Sequence, residues 1–366
     1  MQKKIIMEKI ENFSLTASWA IIKIIWPIYG LMGSFSKAFL PKYDKEKEED
    51  FVVDIVYTWV DQTDALWLKK RRDEVSKIGE KAKNSFCLDY MRESEFVNLN
   101  QLKYSLRSVC RYAKFVRKIF IVTDDQVPGW LNLENEKIII ISHKSLFKNY
   151  KNLPCFNSHA IESRIHHIKG LSEHFLYFND DFVLAKPVTK NNFFIDKNIS
   201  KFFASPRVID SRPCSINDLG ISTAAKQGKI LLQNYFNKTI RHHILHAPYP
   251  LKRSILFEME RKFPNEFSTT ADHKFRHQKD HSFAAFLYFY YAEFTNRAVK
   301  GNIQYMYLDN SLNKFARKVF LTLFAKRYHT FCINEGHMDS KDNDKKIKVL
   351  SLFLKACFPV KCSFEA

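Results

Sequence analysis

The feature of this sequence that points most directly to chemistry is an acidic pair inside an aromatic stretch. Residues 177–182 read YFNDDF, so Asn179, Asp180 and Asp181 interrupt a run of apolar side chains. A carboxylate in apolar surroundings is unstable unless it is paired or binds a cation. Hard divalent cations such as Mg²⁺ take oxygen ligands and bridge carboxylates to phosphate groups. The pair therefore predicts a divalent-metal site for a phosphate-bearing substrate.

The same residues allow plainer roles. One aspartate could cap a turn while the other faces solvent, although the apolar segments on both sides of the pair favour the metal site. His246, in HAPYPL at 246–251, is a candidate general base, because a neutral imidazole accepts a hydroxyl proton near pH 7. Its alternative role is that of an ordinary surface histidine.

Polar residues also follow the other predicted strands. They are Asp61 and Asp64 after the first strand, Asp124 and Asp125 after the second, and His143 after the third. In an open parallel sheet, ligands bind at the carboxyl ends of the strands. If these strands share one sheet, we expect several carboxylates to crowd one edge and to repel one another unless a cation neutralises them.

The order of the elements predicts an α/β fold. Strand-like segments occur at 51–60, 118–123, 137–142 and 175–184, and helix-like segments at 64–83, 100–113 and 158–168. Continuous apolar strands in a β-α-β-β-α-β order imply a mainly parallel sheet with helices on both faces. We divide the chain into an apolar N-terminal helical segment with a charged linker (1–50), an α/β core (51–188), a helical subdomain or lid that completes the active site (189–340) and a basic C-terminal tail (341–366).

Composition narrows the class of function. The chain has 58 Lys and Arg against 39 Asp and Glu, and the net charge of +19 favours an acidic partner such as nucleic acid, anionic lipid or an anionic polymer. The absence of G-x-x-x-x-G-K-[ST], G-x-G-x-x-G and G-x-S-x-G argues against a P-loop NTPase, a dinucleotide oxidoreductase and an α/β-hydrolase. Seven scattered cysteines, with no C-x-x-C pair, predict free thiols in the reducing cytoplasm.

Residues 14–40 are strongly apolar, but Lys23 and Pro27 interrupt them. No part of this segment therefore reaches the ~20 apolar residues that a membrane-spanning helix needs. The segment predicts either an interfacial helix at a membrane surface, to which Trp19, Trp26 and Tyr29 are suited, or a helix docked on the protein core. A membrane-spanning helix is the less favoured alternative.

Four blocks of the sequence resemble the Stealth family. Its members are bacterial capsular and cell-wall polysaccharide phosphotransferases, related to the catalytic part of the animal lysosomal-enzyme GlcNAc-1-phosphotransferase. The blocks are DIVYTWVDQTD at 54–64, residues 102–187 with LPCFNSHAIESRIHHIKGLSEHFLYFNDDFVLAKP, HAPYPLKRSILFEMERKFPNEFSTTADHKFR at 246–276, and FCINEG at 331–336. The chain departs from the family pattern where it has Gln62 and Asp125 in place of Gly, and Glu335 in place of Asp.

The resemblance implies transfer of a hexose 1-phosphate, most often GlcNAc 1-phosphate, from a UDP-sugar to a hydroxyl of a surface glycan. A phosphodiester forms and UMP leaves. The resemblance also implies a Rossmann-like, GT-A-like sheet whose 51–188 core binds the nucleotide sugar, and Mg²⁺ or Mn²⁺ as cofactor. The implied partners are an anionic glycan acceptor and either capsule-assembly proteins or the lipid surface at the inner face of the cytoplasmic membrane. Nucleic acid is not an implied partner.

The same resemblance implies roles for individual residues. The implied metal ligands are Asp180, Asp181 and Glu335. The implied catalytic residues are His246 as general base, Arg276 as a clamp on the diphosphate, and Asp181. The implied substrate-binding residues are Asp61, Asp64, Asp124, Asn157, His159, Glu162, Asn179 and Asn334.

Two other functions are compatible with parts of the sequence. A metal-dependent glycosyltransferase on a similar sheet would share the acidic pair but would break the sugar C–O bond and release UDP. A basic, aromatic-rich protein that binds nucleic acid or a membrane surface would explain the net charge, although no nucleic-acid-binding motif is visible.

Overall fold

The computed structural model describes residues 51–79, 83, 85–87, 100–308, 328–333 and 343–366. The apolar N-terminal segment, Asn334 and Glu335 lie outside these residues, so the predictions made for them have no structural counterpart here. Within the described ranges, no helix combines the length and apolar character needed to cross a membrane.

Strands and helices alternate along the chain. The strands are β1 Val53–Thr58, β2 Val116–Thr123, β3 Ile138–Ser142, β4 His174–Asn179, β5 Phe182–Leu184, β6 Ser200–Phe202, β7 Ala204–Val208, β8 His242–Ile244, β9 Tyr249–Lys252, β10 Ala298–Lys300, β11 Tyr305–Leu308 and β12 Thr330–Ile333. The helices are α1 Ala65–Ser76, α2 Gln101–Tyr112, α3 His143–Leu146, α4 Ser158–Glu162, α5 Gly220–Phe236, α6 Arg253–Lys262, α7 Pro264–Asp272, α8 Tyr288–Phe294 and α9 Asn343–Cys357.

A five-stranded sheet in the order β3-β2-β1-β4-β9 forms the centre of the fold. The first four strands run parallel, and β9 runs antiparallel to β4. All residues of β1 and β4 except the last of each are buried, as expected for parallel strands covered on both faces. The predicted mainly parallel α/β fold is therefore confirmed.

The predicted strand at 175–184 is wrong in one respect, because it consists of two strands. β4 ends at Asn179, Asp180 and Asp181 form a turn, and β5 leaves the central sheet. β5 joins a second sheet, in which β12 pairs antiparallel with β5 and parallel with β11. The turn carries both carboxylates to the edge of the sheet instead of holding them inside a buried ladder, where each would need a partner.

The segment 189–340, predicted as a helical subdomain, contains strands as well as helices. One of them, β9, belongs to the central sheet, and a single apolar core includes side chains from β1 through α8. Helix-like periodicity did not reveal these strands because each has only three to five residues. The division of the chain at residue 188 stays a prediction, and its description as helical is incomplete.

The C-terminal segment, predicted as a basic tail, packs onto the folded protein. Phe353 and Leu354 of α9 share an apolar cluster with Phe331 and Ile333 of β12. Near the end of the chain, buried Glu365 accepts hydrogen bonds from Nε and Nη2 of Arg107, each 2.7 Å long. The segment therefore supports β12, and Val183 of β5 belongs to the same cluster.

We predict that Glu365→Gln destabilises the protein at pH 7 by about 1–3 kcal/mol, because it weakens a buried charge-assisted pair. Burial alone would raise the pKa of Glu365, but hydrogen bonds from Arg107 and the Cys362 amide lower it from 4.5 to about 2. A depressed carboxyl pKa stabilises the fold above pH 4.5, and this contribution is lost as the pH falls towards 2.

Urea unfolding of wild type and variant at pH 7 and pH 3 measures this effect. The difference between the two proteins should shrink at the lower pH. The exposed Glu134→Gln is the matched control and should leave the free energy of unfolding unchanged at both pH values. Equal stability of Glu365→Gln and wild type at pH 7 would contradict the prediction.

Candidate active site

The carboxyl ends of the four parallel strands meet at one edge of the central sheet. The register places Thr58 at the end of β1 beside Asn179 at the end of β4. Thr123 at the end of β2 lies beside Ser142 at the end of β3. The polar residues that follow these strands therefore share one edge, as the sequence predicted.

His246 reaches this edge through the antiparallel strand. β9 begins where β4 ends, and Tyr249 is the partner of Tyr177. His246 lies three residues before Tyr249, and its ring packs edge-on against Phe182, with ring centroids 6.1 Å apart. Because β9 runs antiparallel to β4, the start of β9 lies at the same edge as the carboxyl ends of the parallel strands. His246, which precedes β9, therefore lies beside residues that follow those strands.

Lysines of the chain neutralise the two carboxylates that follow β2. Lys70 lies 3.0 Å from Asp124, and Lys144 lies 2.6 Å from Asp125. Asp125 has a φ of 59°, in the left-handed region that favours glycine, which gives a physical reason for the glycine that the family carries there. Cations of the chain itself therefore neutralise these two carboxylates, and the predicted contact of Asp124 with substrate stays a prediction.

The carboxylates after β1 are engaged in local structure. Asp61 accepts hydrogen bonds from the amide and hydroxyl of Thr63, at 2.9 and 2.6 Å. Asp64 caps the N-terminus of α1 by accepting a 2.7 Å hydrogen bond from the amide of Trp67. Both side chains shape the loop beside the site, and their predicted contact with substrate stays a prediction.

Asp180 and Asp181 differ from these carboxylates, because no ion pair reaches them within the described part of the chain. Burial raises the pKa of Asp180 to about 6. Burial, together with repulsion from Asp180, raises the pKa of Asp181 to about 7. Asp181 Oδ1 is buried and accepts no hydrogen bond from a described residue. A cation at this turn would relieve both the burial cost and the mutual repulsion.

A thiol that the sequence did not single out lies beside Asp181. Pairing of β12 with β5 sets Cys332 opposite Phe182, and Cys332 Sγ donates a 3.1 Å hydrogen bond to Asp181 Oδ2. Ligand atoms of Asp181, His246 and Cys332 all lie within 4.8 Å of one another. The only signal for Cys332 in the sequence was its position in the FCINEG block.

Arginines supply positive charge on the histidine side of the site. Burial, followed by the charges of Arg276 and Arg207, lowers the pKa of His246 to about 4, so its imidazole is neutral at pH 7. His246 Nδ1 is buried and has no hydrogen-bond partner among the described residues. Arg207, on β7, carried no signal in the sequence.

Arg276 also acts electrostatically on Glu162. Burial raises the pKa of Glu162, although the charges of His159 and Arg276 oppose this effect. Its carboxylate accepts hydrogen bonds from the hydroxyls of Tyr177, at 3.3 Å, and Ser282, at 3.2 Å. The structure thus brings Glu162, Arg276 and His246 to one region of the edge.

Asn157 has a structural role in the loop that carries Arg276. Its side-chain oxygen caps α4, and its amide donates to Asp280 Oδ2 at 2.8 Å and to the carbonyl oxygens of His273 and Phe275. His159 Nδ1 lies 3.6 Å from the same Asp280 oxygen. Asn157 is fully buried, and its predicted place in the lining of the donor pocket stays a prediction.

We predict that Asp181→Asn stabilises the folded protein at pH 8 in the absence of divalent cations, by about 1–3 kcal/mol. The pKa of Asp181 is raised in the folded state, so its charge destabilises the fold as the pH rises from 3.8 through about 7. The variant removes that charge, and the difference in free energy of unfolding between variant and wild type should vanish below pH 4.

Chemical unfolding with EDTA present, at pH 8 and pH 4, measures the difference. Exposed Asp73→Asn is the matched control and should behave as wild type. A lower free energy of unfolding for Asp181→Asn than for wild type at pH 8 would mean that the charged carboxylate stabilises the fold, and it would contradict the prediction.

An α/β sheet with uncompensated carboxylates, a neutral histidine and two arginines at its carboxyl edge is suited to a metal ion and a phosphate-bearing substrate. The chain belongs to the Stealth protein family. Residues 51–78, 95–202 and 245–293 match the family's conserved regions 1, 2 and 3. These regions contain the first three blocks on which the resemblance was based.

Curated relatives are similar over most of the chain. An exopolysaccharide phosphotransferase of Streptomyces coelicolor is 39% identical over 315 residues, which are 86% of this chain and 52% of that protein. The capsular polysaccharide phosphotransferase SacB of Neisseria meningitidis serogroup A is 34% identical over 327 residues, or 87% of this chain and 58% of that protein. The chain spans about half the length of these relatives.

Solved structures align more weakly. The galactosyltransferase LgtC, in complex with donor and acceptor sugar analogues, aligns with a TM-score of 0.38 and 10% identity over 81% of this chain and 95% of its own. The bifunctional glycosyltransferase WbbM aligns with a TM-score of 0.41 and 9% identity over 87% of this chain and 50% of its own. These scores are low, and the fold is defined by its own strands and their order.

Proposed function

We propose that the protein is a sugar-1-phosphate transferase of surface-polysaccharide synthesis. It would move a hexose 1-phosphate, with GlcNAc 1-phosphate as the first candidate, from a UDP-sugar to a glycan hydroxyl, forming a phosphodiester and releasing UMP. The observation that carries the proposal is the uncompensated pair Asp180 and Asp181 beside His246 and Arg276. The names of the curated relatives, exopolysaccharide and capsular polysaccharide phosphotransferases, support the same class of reaction.

Asp180 and Asp181 fit a hard divalent cation, Mg²⁺ or Mn²⁺. Their carboxylates are adjacent, lack an ion pair within the described residues, and include the buried oxygen Oδ1 of Asp181 that accepts no hydrogen bond from them. Oxygen donors are those that Mg²⁺ prefers. When bound, such a cation neutralises charge on a diphosphate during phosphoryl transfer.

Arg276 and Arg207 would bind and orient the diphosphate of the donor. Guanidinium groups match phosphate geometry with two parallel hydrogen bonds, and they keep their charge at every physiological pH. Phosphoryl transfer depends on in-line positioning and charge neutralisation. Cationic side chains opposite the acidic pair would hold the phosphorus between two positive regions.

His246 would accept the proton of the attacking hydroxyl. Its imidazole is neutral at pH 7, and the two arginines are among the causes of its lowered pKa. An anionic diphosphate bound by those arginines would offset their effect and raise the pKa of His246 towards neutrality. The histidine would thus become a better base when the donor is in place.

The remaining assignments extend the proposal. Asn179 and Glu162 would contact the sugar of the donor. The nucleotide of the donor would bind beside the loops that contain Asp61, Asp64 and Asp124. The net charge of +19 would retain an anionic glycan acceptor near the site. The same charge would favour peripheral binding at the inner face of the cytoplasmic membrane, together with capsule-assembly proteins.

We predict that the purified protein releases UMP from UDP-GlcNAc in the presence of Mg²⁺ and a capsular oligosaccharide, as measured by chromatography of the nucleotide. EDTA should abolish release, and Asp181→Ala should reduce it at least ~100-fold, as expected when charge stabilisation of a transition state is lost. Exposed Asp73→Ala is the control. Release of UDP instead would identify a glycosyltransferase and reject the proposal.

We predict that Gly220→Ala raises the KM for the UDP-sugar about tenfold or more while the protein stays folded. A Cβ atom on Gly220 would lie 2.5 Å from Cδ and 3.1 Å from Cβ of Arg276, so this side chain would have to move. Loss of a charge-assisted hydrogen bond costs about 1.5–3 kcal/mol, which corresponds to a tenfold or larger loss of affinity.

The control for this prediction is Gly129→Ala, since no atom lies within 4 Å of the position that a Cβ atom would take at that glycine. It should leave both KM and kcat unchanged. Circular dichroism and thermal unfolding would establish that both variants fold. An unchanged KM in folded Gly220→Ala would show that Arg276 does not bind the donor.

A further inference from the structure

Asp181, His246 and Cys332 bring three kinds of metal-binding atom to one point of the structure. A carboxylate oxygen, a ring nitrogen and a thiol sulfur lie within 4.8 Å of one another. Two polar atoms of this group, Asp181 Oδ1 and His246 Nδ1, are buried and form no hydrogen bond with a described residue. Buried polar atoms without partners are rare in folded proteins, so the group has unused capacity to bind a ligand.

The spacing of these atoms fits a small cation. Zn²⁺ binds sulfur at about 2.3 Å and nitrogen or oxygen at about 2.0–2.2 Å, which places tetrahedral ligand atoms roughly 3.2–3.6 Å apart. Cys332 Sγ and Asp181 Oδ2 are 3.1 Å apart. A 3.0 Å hydrogen bond from the Ile333 amide to the Asp181 carbonyl joins the two segments next to this pair.

The ring of His246 is held in place by aromatic neighbours. Phe182 and Tyr307 pack edge-on against it, with ring centroids 6.1 and 6.3 Å away. Since β5 carries Phe182 and β11 carries Tyr307, the second sheet positions the imidazole as well as the thiol.

The chemistry of the donors selects the cation. Mg²⁺ prefers oxygen ligands, whereas thiolate and imidazole suit Zn²⁺. We propose that Asp181, His246 and Cys332 form a Zn²⁺ site that shares Asp181 with the Mg²⁺ site of the proposed function. On binding, the thiol proton of Cys332 leaves to solvent and the sulfur coordinates as thiolate. Water completes the fourth position of a tetrahedral site.

A second group of metal-binding side chains does not support the same inference. Atoms of His166, His167 and Glu260 also lie within 4.8 Å of one another. However, Nε2 of both histidines lies within hydrogen-bond distance of Glu260 Oε2, at 2.9 and 2.8 Å, and Arg164 donates to Oε1 at 2.7 Å. The carboxylate is therefore already satisfied, and the group contains no sulfur.

Zinc at the proposed site would inhibit sugar-phosphate transfer, a consequence that rests on the proposed function. Asp181 is assigned there to the Mg²⁺ site, and His246 is assigned to the proton of the acceptor hydroxyl. A cation that binds both side chains at once withdraws them from these roles. The zinc site itself requires no assumption about the reaction.

Cobalt substitution tests the site without any substrate. Co²⁺ added to the full chain should give a sulfur-to-cobalt charge-transfer absorption, which Zn²⁺ should abolish by displacement. Cys332→Ser should eliminate this absorption, whereas Cys214→Ser, at a partly buried free thiol outside the site, should retain it. Absence of the absorption in wild type, or its persistence in Cys332→Ser, would overturn the proposal.

A second variant protects the test against misfolding of Cys332→Ser, which circular dichroism would reveal. His246→Gln should keep the thiolate absorption. Competition with a chelating dye should show zinc affinity at least ~10-fold lower than in wild type, because mutation of a residue that only hydrogen-bonds to a metal ligand already lowers metal affinity by that factor. Unchanged zinc affinity in this variant would remove His246 from the site and overturn the proposal.

The UMP-release assay with Mg²⁺ then tests inhibition. Zn²⁺ should reduce the wild-type rate, and the ratio of rates with and without Zn²⁺ should return towards one in Cys332→Ser. Zinc binding without inhibition would overturn the inhibitory role. Thiolate absorption in a protein that releases no UMP would support the zinc site and reject the proposed function, so the two failures are distinguishable.

Discussion

Two adjacent carboxylates with no countercharge from the described residues, Asp180 and Asp181, are the constraint around which the site is arranged. Asp54, buried near the start of β1, shows the contrast, because it accepts two hydrogen bonds from Arg117 and one from the amide of Ser172. Full compensation of this kind stabilises a fold but leaves no oxygen for a ligand. The pair at the β4–β5 turn raises the free energy of the folded chain and keeps its oxygens available to a cation.

Segments that are remote in sequence complete the surroundings of this pair. The turn after β4 supplies Asp181, the residues before β9 supply His246, and β12 supplies Cys332. β12 is in turn fixed by α9, whose apolar side chains pack against it, and by α2, from which Gln101 Nε2 donates a 3.0 Å hydrogen bond to the Ile333 carbonyl. The C-terminal helix is therefore part of the structure that supports the site.

Charge is distributed unevenly along the same edge. After β2, Asp124 and Asp125 pair with Lys70 and Lys144, and these ion pairs leave little net charge. Around the end of β4, negative charge lies at the turn, and the positive charge of Arg276 acts on the neutral His246. Under the proposed function, this separation would supply a cation site and an anion site within one edge, as a metal-assisted reaction of a diphosphate requires.

The sequence by itself determined the four parallel strands of the central sheet and the edge at which they end, because apolar periodicity is local and parallel strands place their carboxyl ends together. It also pointed to Asp180, Asp181 and His246 as candidate site residues, through residue types in unusual surroundings. Only the tertiary structure decided that the strand breaks at the acidic pair, that lysines neutralise the two carboxylates that follow β2, and that Cys332 lies beside Asp181. Each of these depends on contacts between residues far apart in the chain, whose energies no local pattern records.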